Sequence, residues 1–298
     1  MGNFSIKEIM GDKAPLVTVV DIGAMIEGKN RYDDLVERGM ARVVGFEPEP
    51  REFEKLKAQG DKRHVYLPYF VGSGKPGTFH QCRYNGCSSL YRPDPHVIDL
   101  FTSIGASANG NFQVLSTEEV KTVRMDDIKE ITACDYLKID VQGAELDVLA
   151  GAIKTLEGTA VVQAEVEFVP LYGGQPLFAE IDIFMRNNGF ILHKLVDVAG
   201  RAVRPFVLDQ NPYKPISQLL WADAVFIKDF TRFNTLRPEL LLKAAIILHE
   251  VYSSIDMAAF ALKAYDAQAG TAYFAGYMAK VFAAGRFDHS FMNVKDWI

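Results

Sequence analysis

Carboxylates recur where a predicted β-strand gives way to a turn. Asp21-Ile22-Gly23 closes the β-branched run that begins at Val17. Glu47 follows Arg42-Val43-Val44-Gly45-Phe46 and precedes Pro48. Asp140 and Glu145 flank Val141-Gln142-Gly143-Ala144, and Glu165 and Glu167 alternate with apolar residues in Gln163-Ala164-Glu165-Val166-Glu167-Phe168. Each placement suggests a task. Glycine at 23 lets backbone approach a ligand closely, and the acid at 21 suits a positively charged ligand group better than a pyrophosphate. An acid such as Glu47, at the end of a second strand, accepts hydrogen bonds from both hydroxyls of a ribose. Asp140 stands at the carboxyl end of a central strand, where open α/β sheets bind their ligands. Glu165 and Glu167 share a face, because strand side chains repeat every two residues. Together they could position a substrate hydroxyl or take its proton. Plainer roles stay open for each: a strand-end turn, a solvated loop acid, a wet strand end or, for Glu145, an acid favoured by a helix macrodipole.

The elements that position these acids alternate. The pattern predicts strands over Val17–Ile22, Arg42–Glu47 and Val65–Val71, with helices around Tyr32–Val36 and after Pro50. Strands return at Tyr136–Val141, Ala160–Val166, Phe190–Val196 and Gln218–Ile227. One helix is expected from Glu145 through Ile153 and another over Phe178–Asn188. Strand–helix alternation predicts a parallel sheet covered by helices. Residues 74–120 read as an insertion with one or two short strands over the sheet's carboxyl end, and Val120–Met125 as an extra strand. Residues 197–217 hold Gly200, Pro205, Pro212 and Pro215, which leave no room for a crossover helix, so the last two strands should be antiparallel. From about Pro238, Leu, Ala, Lys and His replace the β-branched runs. Three helices are expected there, with Ser253 or Ser254 capping the second. The boundaries that follow are 1–234 for the α/β domain and 235–298 for a helical extension that could pack or self-associate.

Bulk properties exclude several classes. The 298 residues carry a formal net charge of −6 and no long Lys/Arg run, which opposes binding to a phosphate backbone. Three cysteines, Cys82, Cys87 and Cys134, are too few and odd in number for a disulfide scaffold and point to a reducing, cytoplasmic setting. No metal cluster stands out, and His80, His96 and His193 are isolated. No signal-peptide pattern or membrane span is expected. The Gly2 start lacks the Ser or Thr that myristoylation favours at position six. The dinucleotide fingerprint is absent, since Met25 occupies the place of its second glycine.

Taken in order, Val20-Asp21-Ile22-Gly23-Ala24, Gly45-Phe46-Glu47-Pro48, Ser88-Ser89-Leu90, Met125-Asp126-Asp127-Ile128 and Leu137-Lys138-Ile139-Asp140-Val141-Gln142-Gly143-Ala144-Glu145 resemble the FkbM family of methyltransferases over roughly residues 15–230. The resemblance implies a Rossmann-like class I methyltransferase sheet, mostly parallel with an antiparallel last strand. It implies S-adenosylmethionine as cofactor and methyl transfer to a hydroxyl of a saccharide, polyketide or similar metabolite. Asp21, Gly23 and Glu47 would hold the cofactor, Gly72 and Ser73 would lie near its adenine, and Asp140 near the transferring methyl. The first candidates for the base are Asp140 and Glu165. Three departures stand out: Met25 and Glu27 occupy the places of the family's Asn and Gly, and Gln142 replaces an acid. Two other readings compete, a NAD(P)-dependent oxidoreductase and a non-catalytic scaffold on the same fold. A homodimer through the C-terminal helices is a further expectation.

Overall fold

The computed structural model describes residues 4–26 and 28–285. Gly2, Glu27 and positions 286–298 of the expected helical extension lie outside the described residues. Strands run β1 Val17–Ile22, β2 Ala41–Phe46, β3 His64–Leu67, β4 Phe70–Val71, β5 Pro76–Cys82, β6 Val114–Val123, β7 Tyr136–Ile139, β8 Val161–Glu167, β9 Phe190–Gly200 and β10 Leu219–Lys228. Seven of them form one sheet in the order β3-β2-β1-β7-β8-β10-β9. The β2–β3, β1–β7 and β7–β8 pairs are parallel, whereas β10 runs antiparallel to both β8 and β9. The proline-rich connection therefore has the predicted consequence, and β10 enters between its two predecessors.

The chain divides into two compact units. The larger comprises Thr18–Gly28 and Val43–Asp229. Its core lies where Val20, Ile22, Leu137, Ile139, Val162 and Ala164 meet the apolar faces of the covering helices, including Leu149, Ile181 and Met185. β1 is buried at every position, as a central parallel strand covered on both faces must be. Three local expectations are corrected. The third predicted strand is two strands in two sheets: Pro68 interrupts the run, and β4 joins β6 and β5 in a three-stranded sheet. The strand expected at Val120–Met125 is the end of the longer β6. The helix expected from Glu145 to Ile153 is two short ones, Glu145–Ala150 and Ile153–Gly158. The break falls at Gly151, where an added Cβ would stand 2.3 Å from the Gly72 carbonyl oxygen. The second short helix is capped by Asp126, which accepts from the Lys154 and Thr155 amides at 3.0 and 2.9 Å.

The other unit joins the chain up to Val17, Lys29–Arg42 and the chain from Phe230 onward. Its long helices are Pro238–Glu250, Ile255–Ala269 and Tyr273–Ala283. The first is buried on all sides from Leu240 to His249, which explains its continuous apolar sequence. Glu250 accepts from Ser5 Oγ, the Ile6 amide and Arg38 at 2.6, 2.7 and 2.7 Å, tying the N-terminal segment to that helix. Ser254 holds the N-cap position of the second helix but makes no side-chain capping bond, so the predicted device is absent. No helix among the described residues is long and apolar enough to cross a membrane.

Candidate active site

Register builds a polar row into the larger unit. Asp21 of β1 lies beside Lys138 of β7, which lies beside Gln163 of β8. Lys138 Nζ donates to Asp21 Oδ1 at 3.3 Å and stands 3.9 Å from Asp140 Oδ2. Burial works against the ammonium charge. The carboxylates of Asp21 and Asp140 outweigh it and raise the lysine's pKa. Gln163 accepts from the Tyr136 hydroxyl at 2.8 Å and donates to Asp223 of β10 at 2.6 Å. The second row starts with Asp223 opposite Glu165.

Asp140 and Glu165, predicted separately, meet at one atom. The Gln142 side-chain nitrogen donates to Asp140 Oδ1 at 2.9 Å and to Glu165 Oε2 at 2.6 Å. Burial and the neighbouring Asp140 push the Glu165 carboxyl well above the usual carboxylate range. Behind them, Glu145 accepts from the Val141 amide at 2.9 Å, and Glu167 is buried close by. Burial, reinforced by Glu167, raises Glu145 well above its ordinary value, and burial pushes Glu167 up to about 7. Glu145 is thus a turn-closing acid inside the fold.

Gly23 needs its residue type. It has φ +83°, and an added Cβ would lie 1.9 Å from the Asp140 carbonyl oxygen. Its amide and that of Ala24 both donate to the Phe46 carbonyl at 3.0 Å, drawing the ends of β1 and β2 together. Gly23→Ala should cost roughly 2 kcal/mol through strain and overpacking. A thermal melt that matches wild type would contradict this close approach.

Glu47 is 7% exposed, and its Oε1 accepts from the Glu49 amide at 2.8 Å. Its Oε2 takes no hydrogen bond among the described residues. Burial, followed by the nearby Glu49, Glu52 and Asp21 charges, pushes the acid up to about 7. A desolvated carboxylate with an open oxygen at a strand end fits a pair of ribose hydroxyls. Asp21 is fully buried and committed to Lys138, so its part is played from inside the sheet. Gly72 and Ser73 follow β4, where Gly72 neighbours Thr122 and Gly151. The structure groups them with the second sheet and brings Asp140, Glu165, Asp21 and Lys138 together.

Sequence reasoning gave no role to Lys138, Gln163, Asp223 or Tyr172, whose hydroxyl lies 3.0 Å from the Gln142 amide oxygen. Lys138 carried a signal, an ionisable residue inside an otherwise apolar central strand. Asp223 and Tyr172 carried none, because only β10 pairing and the insertion bring them to the site.

A seven-stranded sheet with an antiparallel strand inserted beside its outermost member, and acids at the carboxyl ends of β1, β2 and β7, defines a Rossmann-like class I methyltransferase. The chain belongs to the FkbM methyltransferase family: residues 21–192 match the Methyltransferase FkbM domain. It is similar to the hexuronic acid methyltransferase AglP of Haloferax volcanii, 28% identical over 169 residues, covering 51% of this chain and 61% of AglP. It is also similar to the 2-O-methyltransferase NoeI of Sinorhizobium fredii, 30% identical over 181 residues, covering 57% of this chain and 71% of NoeI. The chain therefore spans less than two thirds of the length of AglP. A solved structure described as StiE O-MT shares 11% identity at a TM-score of 0.38, covering 81% of this chain and 78% of the other. S-adenosylmethionine is the cofactor that family membership brings.

Proposed function

We propose that this chain transfers a methyl group from S-adenosylmethionine to a hydroxyl oxygen of a saccharide, with a hexuronic acid as the first acceptor to test. The observation that carries this reading is the convergence of Asp140 and Glu165 at the carboxyl edge of β7 and β8, in a sheet whose β2 ends in Glu47. The saccharide class is supported by the similarity to AglP and NoeI.

The cofactor supplies an electrophilic methyl group on a positively charged sulfur. Glu47 would accept the ribose hydroxyl protons in hydrogen bonds, and Gly23 keeps the β1 turn close to the β7 end. Asp140, whose side chain is 31% exposed, would accept the proton that the acceptor oxygen loses as its bond to the methyl carbon forms and the carbon–sulfur bond breaks, which leaves the neutral thioether S-adenosylhomocysteine. Glu165, whose carboxyl burial and the neighbouring Asp140 push well above the usual carboxylate range, accepts from the Gln142 amide beside it. Holding acceptor and methyl in line supplies much of the rate. The helices from residue 235 onward are proposed as an element for packing or self-association, which sedimentation of the full chain would reveal as a dimer.

The test is calorimetry of S-adenosylmethionine on wild type and Glu47→Gln from pH 5.5 to 8.5. The ionised acid is the form that accepts two hydroxyl protons. Wild-type affinity should fall as pH drops below about 7, approaching tenfold per unit, and Glu47→Gln should bind weakly with a flat profile. The stability trend is opposite. Because the fold raises this acid, it favours the protonated form, so the contribution to stability declines as pH climbs from the unfolded value of 4.5 through about 7. No binding at millimolar cofactor would overturn the reading.

A further inference from the structure

The turn after β7 is held in a costly shape. Gln142 has φ +58° and Gly143 φ +97°. The left-handed region costs a glutamine on the order of 1 kcal/mol. Its side chain accounts for its presence. The amide nitrogen donates to Asp140 and Glu165, and the amide oxygen lies 3.0 Å from the Tyr172 hydroxyl. The Gln142 backbone carbonyl accepts from Ser89 Oγ at 2.6 Å, and Ser89 Oγ accepts from the Tyr91 amide at 2.9 Å. The turn is thus clamped from the insertion by Ser89 and from the β8 side by Tyr172.

The chemistry of the amide fixes its orientation. Its nitrogen has two protons and its oxygen none, so the end facing two carboxyl groups is nitrogen. The oxygen then faces Tyr172. The tyrosine hydroxyl also lies 3.1 Å from the Cys87 carbonyl, so two acceptor oxygens face its single proton. Two acids this close repel when both ionise, and a neutral donor between them permits the approach. The acid that the family pattern carries at this position would place a third carboxylate there.

We infer that Gln142 is the positioning residue of the reaction centre: its amide nitrogen fixes Asp140 and Glu165 together, and the Tyr172 hydroxyl steadies the amide from its oxygen end. This rests on the proposed role of Asp140 as the base. The other charged and titratable groups facing the pair are Lys138 on β7, Asp21 on β1, Glu167 on β8, Asp223 on β10 and Glu145 on the helix Glu145–Ala150. Each donated hydrogen bond favours the ionised carboxylate, so removing the amide makes Glu165 harder to ionise.

Two readouts on the full chain separate this inference from the reading beneath it. The first is the pH profile of kcat at saturating S-adenosylmethionine and glucuronic acid. Gln142→Leu should move the acid limb to higher pH, so its deficit against wild type grows as pH falls. Tyr172→Phe, which keeps the ring, should move the limb in the same direction by less. A uniform loss across pH in both variants would reduce Gln142 to a structural residue and overturn the inference. The second readout needs no acceptor: carbon-13 NMR titration of the Glu165 carboxyl, without cofactor. Its midpoint should rise in Tyr172→Phe and further in Gln142→Leu. An unchanged midpoint in both overturns the inference even if glucuronic acid is not methylated, whereas a raised midpoint without turnover leaves the positioning intact and removes the acceptor assignment. If Gln142→Leu does not fold, Tyr172→Phe carries both tests.

Discussion

Asp140→Asn should lower kcat by about 10²- to 10⁴-fold, the usual contribution of a positioned general base, with little change in affinity for S-adenosylmethionine. The substitution is close to isosteric. Asparagine keeps an oxygen able to accept the Gln142 amide proton now received at 2.9 Å, so the turn has no reason to rearrange. What disappears is the negative charge and the capacity to take a proton. Methyl transfer to glucuronic acid, followed with labelled cofactor, gives kcat, and calorimetry gives the affinity. Full turnover with normal binding would remove Asp140 from the chemistry. Loss of both would instead make it a cofactor ligand. Glu165→Gln should be far milder, since glutamine keeps an oxygen that can accept from the Gln142 amide and leaves Asp140 in place.

The second large effect is on stability. Lys138→Met should destabilise the protein by roughly 3–5 kcal/mol, because it leaves the fully buried Asp21 without the ammonium now 3.3 Å away. For a unit of this size that corresponds to a melting point lower by about 10 °C. Methionine matches the length of the lysine stem, so lost volume contributes little. The double variant Lys138→Met/Asp21→Asn should regain a large part of the loss, since neither buried charge then remains. A coupling energy near zero in that cycle would show the ion pair to be incidental.

Much of the frame was legible because it rests on local patterns. The β-branched runs of β1, β2, β7 and β8 are apolar because both faces of a central strand are covered. The antiparallel β10 was readable from three prolines and a glycine that deny a crossover helix. Asp140 and Glu165 were legible as strand-end acids. Their meeting was not, since it depends on a left-handed Gln142 that no periodicity announces. The split of the third predicted strand turned on one missing proline N–H. The break falls at Gly151, which lies against a carbonyl from residue 72, a contact far along the chain. Lys138 was visible within its motif, yet its partner Asp21 becomes evident only once β1 and β7 lie side by side in register.

β10 imposes an order of assembly. β9 leaves the ribosome first, yet it joins the sheet only through β10, which emerges later and enters between β9 and β8. Until Leu219–Lys228 has been synthesised, the edge of β8 that ends in Glu165 and Glu167 has no partner, and Asp223 is not yet opposite Glu165. A nascent chain at that stage carries an open strand edge, the kind of surface that templates aggregation. Chains stopped before Leu219 should therefore collect in the insoluble fraction, and the methyl-transfer centre cannot be complete while the last strand is still being translated.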